Sequence, residues 1–125
     1  MKRTPKRRKT KKSSRRTYAD TLFSNLVRSL GFCENCGSSD RLEAAHIVPR
    51  RFLSVRWERG NAVCICHTCH SFYTTNPYSW DDWVTERIGA EAYRDLKRRA
   101  EEGRGPPDYD RVIEDLKAAR KEAAS

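Results

Sequence analysis

Apolar residues recur every three or four positions in several stretches of this 125-residue chain, and this spacing predicts amphipathic helices. The first such stretch covers residues 17–30, with Asp20 as a capping residue and Gly31 as the stop. Its apolar face is formed by Leu22, Phe23, Leu26, Val27 and Leu30. The pattern therefore predicts an N-terminal helix that buries one face.

Three further helices are predicted in the C-terminal part, over residues 79–125. Ser79 is expected to cap the first, Gly89 to end it, and residues 90–102 to form the second. Asp108 is expected to cap the third after a linker at 103–107. The apolar stripe of this last helix favours packing against the body of the protein, and it consists of Val112, Ile113, Leu116 and Ala119.

Between the helices, two short apolar runs predict strands over residues 42–48 and 61–65, joined by an arginine-rich linker. The chain is expected to turn helical again at His67 for about two turns and to stop at Asn76, because Pro77 disfavours helix in the residue before it. The sequence therefore predicts an α+β fold with helices on both sides of a small hairpin.

Charge separates the first 16 residues from the remainder. The chain has 26 Lys/Arg and 17 Asp/Glu, a net charge of +9. Ten of the basic residues and none of the acidic ones lie in residues 1–16, which leaves 16 basic and 17 acidic residues for 17–125. We therefore expect a disordered basic tail over 1–16, followed by a single domain over 17–125. The tail favours a polyanionic partner, with a solubilising or localisation role as the alternative.

Five cysteines stand in a chain in which no apolar run is long enough to span a membrane and no signal-peptide pattern opens the sequence. We therefore expect a cytoplasmic protein whose cysteines are reduced or bind metal. Two Cys-x2-Cys pairs, Cys33/Cys36 and Cys66/Cys69, are separated by 29 residues. Each pair can supply two thiolates to a tetrahedral zinc ion, so a closed structural zinc site is predicted. Cys64 is expected to be a small apolar core residue.

The residues between and after the cysteine pairs have a distinctive order. Ala-His-Ile-Val-Pro-Arg at 45–50 is followed by Arg56-Trp57, Asn61-Ala62 and then His70 directly after Cys69. The segment 33–77 resembles the HNH endonuclease family of the zinc-stapled ββα-metal type, and looks most like small phage-encoded members. The resemblance implies a core at 33–77 in which strand, strand and helix carry the three site residues, with a host-cytoplasmic location for a phage protein.

The resemblance implies metal-dependent hydrolysis of DNA phosphodiester bonds, by nicking or by cutting both strands. His46 falls at the general base, and a neutral imidazole can take a proton from water at neutral pH. His70 falls at a ligand of a catalytic divalent ion, Mg²⁺ or Mn²⁺. Asn61 would orient His46 through a hydrogen bond or approach the metal. The products would carry a 5′-phosphate and a 3′-hydroxyl.

Two positions depart from the family pattern. Ala45 stands where an Asp or His ligand is usual, and Thr74 stands where many members have a further histidine. Either the ion is held by His70 together with water, phosphate oxygens and another carboxylate, or activity is lost. Glu43 and Glu58 are the nearest acids in sequence.

Candidate DNA contacts follow from arginine chemistry, because its planar fork pairs with phosphate. Arg50, Arg51 and Arg56 lie in the linker after the first strand. The tail adds sequence-independent, salt-sensitive affinity through Lys2, Arg3, Lys6, Arg7, Arg8, Lys9, Lys11, Lys12, Arg15 and Arg16. The C-terminal helices could dock phage packaging or recombination proteins.

Two other interpretations stay open. A non-catalytic zinc-stabilised DNA-binding module would explain Ala45 and Thr74. An RNA-binding zinc ribbon fits the basic tail but leaves His46 and Asn61 without a role.

Overall fold

In a computed structural model, which describes residues 11–103, 105 and 107–124, five α-helices surround one two-stranded antiparallel sheet. The fold class is therefore α+β, as predicted. A single 3₁₀ turn, Arg59–Asn61, precedes the second strand. In chain order the elements are α1 (Lys11–Arg28), β1 (Leu42–His46), β2 (Ala62–Cys66), α2 (His67–Thr75), α3 (Pro77–Ile88), α4 (Ala90–Glu102) and α5 (Tyr109–Ala124).

The hairpin formed by β1 and β2 has a simple register. Leu42 pairs with Cys66 at one end, and His46 pairs with Ala62 at the other. Four residues of extended strand separate the two ends, which is about 13 Å. The cysteine end and the histidine end of the hairpin are thus set apart along one ladder.

Two apolar clusters form the interior. One lies under the hairpin and includes Ile47, Val55 and Ile65, with Val84 of α3 and Leu96 of α4. The other joins α1 to α5 and is formed by Ala19, Leu22, Phe23, Leu26, Trp57, Tyr109, Ile113 and Leu116. The predicted apolar stripes of the first and last helices therefore pack mainly against each other.

The N-terminal helix differs from its prediction. It begins at Lys11, so the prediction of disorder is wrong for residues 11–16, and residues 1–10 lie outside the described part of the chain. Arg15 pairs with Asp110 of α5, which gives the early turns of α1 a partner. Asp20 lies inside the helix and does not cap it. The helix ends at Arg28, and Gly31 takes the positive φ of 86° that suits glycine at such a stop.

The other boundaries are close to those predicted. Helix α3 begins at Pro77, because the fixed φ of proline suits the first turn, so Ser79 is not its cap. The Asp108 cap is confirmed, since its Oδ1 accepts hydrogen bonds from the backbone N–H of Asp110 (3.1 Å) and of Arg111 (3.4 Å). Cys64 is buried as predicted. Among the described residues, no helix combines the length and the apolar character needed to cross a membrane.

Candidate metal centre and histidine cavity

The two cysteine pairs meet at one end of the hairpin. The Sγ atoms of Cys33, Cys36, Cys66 and Cys69 all lie within 4.8 Å of one another. Cys66 ends β2, Cys69 lies one turn into α2, and the first pair sits in the turn that precedes β1. The folding of the chain between the pairs into a hairpin is what closes the 29-residue gap.

This cluster fits a structural metal such as zinc. Tetrahedral zinc with Zn–S bonds of about 2.3 Å places its sulfur atoms about 3.8 Å apart. The Sγ atoms of Cys36 and Cys66 are 3.7 Å apart. Four thiolates complete a tetrahedral shell, so a metal bound here would be a cross-link and not a catalyst.

Hydrogen bonds around the cluster favour a thiolate at Cys33. Burial raises the pKa of the Cys33 thiol, but hydrogen bonds from the backbone near Cys36, Cys66 and Asn35 outweigh it and lower that pKa to about 6. Asn35 Nδ2 donates to Cys69 Sγ at 3.3 Å. Burial nevertheless raises the pKa of Cys69 to about 12. A bound cation deprotonates the thiols that coordinate it.

Glu34 ties the first cysteine pair to the hairpin. Its backbone N–H donates to the Cys64 carbonyl at 2.8 Å, and its Oε2 accepts from the Cys64 N–H at 2.7 Å. Its other oxygen lies 2.6 Å from Arg87 Nη2. The Glu34 carboxylate thus links the turn, β2 and α3. Together with its own backbone N–H, Glu34 makes the two hydrogen bonds to Cys64 that a neighbouring strand would make at this edge of β2.

His46 lies at the opposite end of the hairpin with its ring fixed. Its Nε2 is 2.8 Å from the Arg56 carbonyl oxygen, and because a carbonyl can only accept, Nε2 carries the proton. The neutral ring therefore keeps its lone pair on Nδ1. Phe23 stacks on the ring at 5.3 Å. Burial lowers the pKa of His46, and the charges of Arg50 and Arg56 lower it further, so the ring is neutral at pH 7.

His70 is held through Nδ1, whereas His46 is held through Nε2. Its Nδ1 lies 2.7 Å from Glu43 Oε1, while His67 Nδ1 lies 3.0 Å from Glu43 Oε2. A carboxylate that accepts from Nδ1 leaves Nε2 of the neutral imidazole as the atom with a free lone pair. The hydrogen bond from His67 is the main reason that the pKa of Glu43 is lowered. Glu43 therefore remains ionised between the two rings.

One cavity of about 160 Å³ is lined by both His46 and His70. Its other lining residues are Ala45, Tyr73, Thr74 and Trp80. The two histidines that the sequence singled out are thus brought together, although they are 24 positions apart. His67 is exposed and does not line this cavity.

Asn61 does not join them. It is completely buried, and its side chain is bonded to the backbone of the linker. Oδ1 accepts from the Val48 N–H at 2.7 Å, and Nδ2 donates to the carbonyls of Val48 (3.1 Å) and Val55 (3.0 Å). The expectation that this amide orients His46 directly or approaches a metal is therefore wrong, because all three of its hydrogen bonds hold the loop. It supports His46 only through that loop.

Arg56 is also not a DNA contact as placed. It is 8% exposed, and its guanidinium pairs with Asp20 at 2.6 Å and lies over the Trp57 ring. Trp57 Nε1 donates to the same carboxylate at 2.9 Å. A phosphate would have to displace Asp20, so the prediction for Arg56 is corrected to a structural role. Its carbonyl is the group that holds His46.

The remaining predicted contacts are exposed or undescribed. Arg50 and Arg51 are exposed, and Arg51 lies over the Phe52 ring at 4.7 Å. Lys11, Arg15 and Arg16 are on α1, with Arg15 already paired to Asp110. Lys12 lies in the same helix. Outside the described residues lie Lys2, Arg3, Lys6, Arg7, Arg8 and Lys9.

The cavity offers few ligands for a second metal. Ala45 has no donor atom, and the Thr74 hydroxyl donates to the His70 carbonyl at 2.8 Å. Among the described lining residues, two ring nitrogens could bind a metal: Nε2 of His70, since Glu43 occupies Nδ1, and Nδ1 of His46, since the Arg56 carbonyl occupies Nε2. These residues fit an ion that takes most of its ligands from water and phosphate, as Mg²⁺ does. They do not form a cage for a tightly held ion.

The sequence named Glu43 as a nearby acid without placing it at the site, and it did not identify Asp20, Tyr73 or Trp80 as site residues. The hairpin register could have placed Glu43 beside the start of α2, since it pairs with Ile65 just before Cys66. Asp20 gave no such signal, because it is 36 positions from Arg56. Trp80 and Tyr73 were visible only as helix residues.

Comparison with known proteins does not assign this chain to a family. No family model matches the chain, and neither the curated proteins nor the solved structures contain a match.

Proposed function

We propose that this protein is a metal-dependent endonuclease of the HNH type that hydrolyses DNA phosphodiester bonds. The observation that carries the proposal is the shared cavity of His46 and His70, in which each ring is held by a different nitrogen. Each neutral ring thereby keeps one free nitrogen, Nδ1 of His46 and Nε2 of His70, that can accept a proton or bind an ion. The resemblance of segment 33–77 to the HNH family is the second support.

His46 is the proposed general base. Its neutral form at pH 7, which burial favours, has the lone pair on Nδ1 that a water proton requires. The Arg56 carbonyl fixes the tautomer and stabilises the imidazolium once the proton has moved. The hydroxide formed would attack the phosphorus, and the 3′ oxygen would leave.

His70 and Arg50 are the residues proposed to act on the phosphate group. A divalent ion bound at His70 would stabilise the charge that develops on the phosphate oxygens. Glu43 keeps the His70 ring oriented through Nδ1. Arg50 is exposed, and its charge is felt by His46, so a phosphate between the two would meet a positive potential.

Plasmid cleavage tests the proposal. Zinc-loaded protein is mixed with supercoiled plasmid in buffers that contain Mg²⁺, Mn²⁺ or no added ion. Omitting the ion is better than adding a strong chelator, which would also strip the cysteine cluster. We expect ion-dependent cleavage that His46→Ala reduces by at least about 100-fold, the range typical of losing a general base.

His67→Ala is the matched control, because His67 is an exposed histidine on the same helix as His70 and does not line the cavity. It should retain most of the activity. Zinc content and far-UV circular dichroism should be unchanged in both variants. Cleavage that His46→Ala leaves intact, or no cleavage with any ion, would exclude the nuclease.

A non-catalytic, zinc-stabilised DNA-binding module is the second candidate. It is favoured by the cavity wall itself, where Ala45 and Thr74 contribute no metal ligand from their side chains. Under this alternative the protein retards DNA in a gel but does not cleave it, whichever ion is added. It binds DNA equally well when His46 is replaced by alanine.

A further inference from the structure

Two aromatic side chains line the histidine cavity, and the proposed hydrolysis has no use for them. Tyr73 is on α2 and Trp80 on α3, and both are partly buried. Their ring centroids are 5.4 Å apart with planes inclined by 56°. We call this pair the aromatic wall. It places two flat rings on the same cavity as His46 and His70.

Trp80 belongs to a cluster of three rings, in which Trp83 lies behind both Trp80 and Tyr73, 5.6 Å from each ring. The ring planes of Trp80 and Trp83 are 24° apart, and Trp83 does not line the cavity. An aromatic ring that is backed by another ring and borders an open cavity can extend the stack with a ligand ring. Stacking on aromatic side chains is how proteins hold unpaired nucleobases.

The volume of the cavity matches a single six-membered ring. This volume of about 160 Å³ is close to the roughly 150 Å³ of a protein cavity that accommodates benzene. A pyrimidine base has one six-membered ring of that size. A base inside a duplex is stacked and paired on its own strand, so it has to be unpaired to enter.

Charge favours a nucleotide over a neutral aromatic molecule. Arg50 is exposed and acts electrostatically on His46, which lines the cavity. A base on the aromatic wall would therefore have its phosphate beside positive charge. The excess positive charge of the chain lies in residues 1–16, whose ten basic residues favour a polyanionic ligand such as a nucleic-acid strand.

We infer that the aromatic wall binds an unpaired pyrimidine base of single-stranded DNA, next to the phosphate that His46 is proposed to hydrolyse. The identity of that phosphate rests on the proposed function, but base stacking does not depend on it. The preferred substrate is accordingly a strand with unpaired bases, such as a flap or a gap, and not an intact duplex.

Binding without added ion tests the inference separately from cleavage. The full zinc-loaded chain is titrated into fluorescein-labelled 12-mers: oligo(dT), an abasic strand with the same phosphates, and a duplex. Trp80→Leu should weaken binding of oligo(dT) by about 5- to 100-fold, as expected for the loss of one stacked base. It should leave binding of the abasic strand unchanged, because that strand has no base to stack.

Tyr78→Ala is the matched control. Tyr78 is an 88% exposed aromatic residue on the same helix that does not line the cavity. It should leave both affinities unchanged. If Trp80→Leu does not fold, photocross-linking of wild-type protein to an oligo(dT) that carries one 5-iodouracil gives the answer without a variant. The cross-link should map by mass spectrometry to Trp80 or Tyr73.

The outcomes separate the two proposals. Equal wild-type affinity for oligo(dT) and the abasic strand, or cross-links that avoid the aromatic wall, would overturn the inference and leave the nuclease proposal standing. A duplex that loses as much affinity as oligo(dT) in Trp80→Leu would also overturn it. Binding that depends on the base and on Trp80, by a protein that cleaves nothing, would support the aromatic wall and exclude the nuclease.

Discussion

The two cavity imidazoles are each restrained by a hydrogen bond to one nitrogen. The Arg56 carbonyl holds His46 through Nε2, and Glu43 holds His70 through Nδ1. Because hydrogen-bond partners decide the tautomer, the unbonded nitrogens have different roles open to them. The residue types were visible in the sequence, but the nitrogen that each ring leaves free depends on partners far along the chain.

Asn61→Ala should destabilise the protein. The change leaves the Val48 N–H and the carbonyls of Val48 and Val55 without their side-chain partner in a fully buried place. We expect a loss of about 3 kcal/mol in the free energy of unfolding, measured in urea. Asn61→Asp should lose at least as much, because it sets a carboxylate beside two carbonyl oxygens. If Asn61→Ala abolished cleavage without changing the stability, Asn61 would have a catalytic role and not a structural one.

His46 should titrate below its ordinary pKa of 6.5, because burial disfavours its charged form. Since the folded pKa is the lower one, the unfolded chain binds more protons as the pH falls. The resulting contribution to stability is fully present above pH 6.5 and is lost as the pH falls through the folded pKa. NMR titration of the ring, assigned with His46→Ala, measures this. Arg50→Gln removes a nearby positive charge and should move the pKa upward, and a downward move would contradict the prediction.

Helix α1 supports the cavity from outside the hairpin. Asp20 binds Arg56 and Trp57 of the linker, and the Arg56 carbonyl in turn holds His46. Phe23, one turn further on, stacks on the same imidazole. The linker therefore has its conformation set by a helix more than 30 positions earlier in the chain, which no local pattern could show.

Asp20→Ala should cost about 3 kcal/mol in the free energy of unfolding, because it leaves the buried Arg56 charge without its partner. Asp110→Ala is the matched control. It also removes a carboxylate from an ion pair that involves α1. The Arg15–Asp110 pair is exposed, however, with side chains 48% and 74% accessible. Such a pair contributes less than about 1 kcal/mol. Urea unfolding of both variants should separate them clearly, and equal losses would contradict the assignment.

Across the whole molecule, periodic features were predicted well and side-chain partnerships were not. The bounds of α4, the Asp108 cap, the proximity of the four cysteines that could bind a metal and the burial of Cys64 follow from short-range spacing. The early start of α1 was missed because the helix packs against α5, about 95 positions later in the chain, where Arg15 also pairs with Asp110. Arg56 and Asn61 were assigned outward roles because sequence does not show which polar side chains fold inward.

Metal removal should unfold this protein. A structural zinc contributes on the order of 10 kcal/mol to folding, which is comparable to the entire stability of a small domain. Dialysis against a strong chelator should therefore abolish the cooperative thermal transition, and zinc should restore it. Cys36→Ser should behave like the chelated protein. Cys64→Ala should keep one equivalent of zinc, because this buried cysteine is outside the cluster. A stable, cooperative metal-free protein would refute the structural assignment.

The register of the hairpin also limits how its length can vary. Leu42 pairs with Cys66 and His46 with Ala62. The direction of the side chains at the cysteine end and at the histidine end therefore depends on the same two-residue alternation. Inserting or deleting one residue within a strand would turn every later side chain to the other face of the sheet. Changes of two residues, made in both strands, keep that alternation. Tolerated length changes in this hairpin should therefore come in pairs, whereas the loops outside it are free of that restriction.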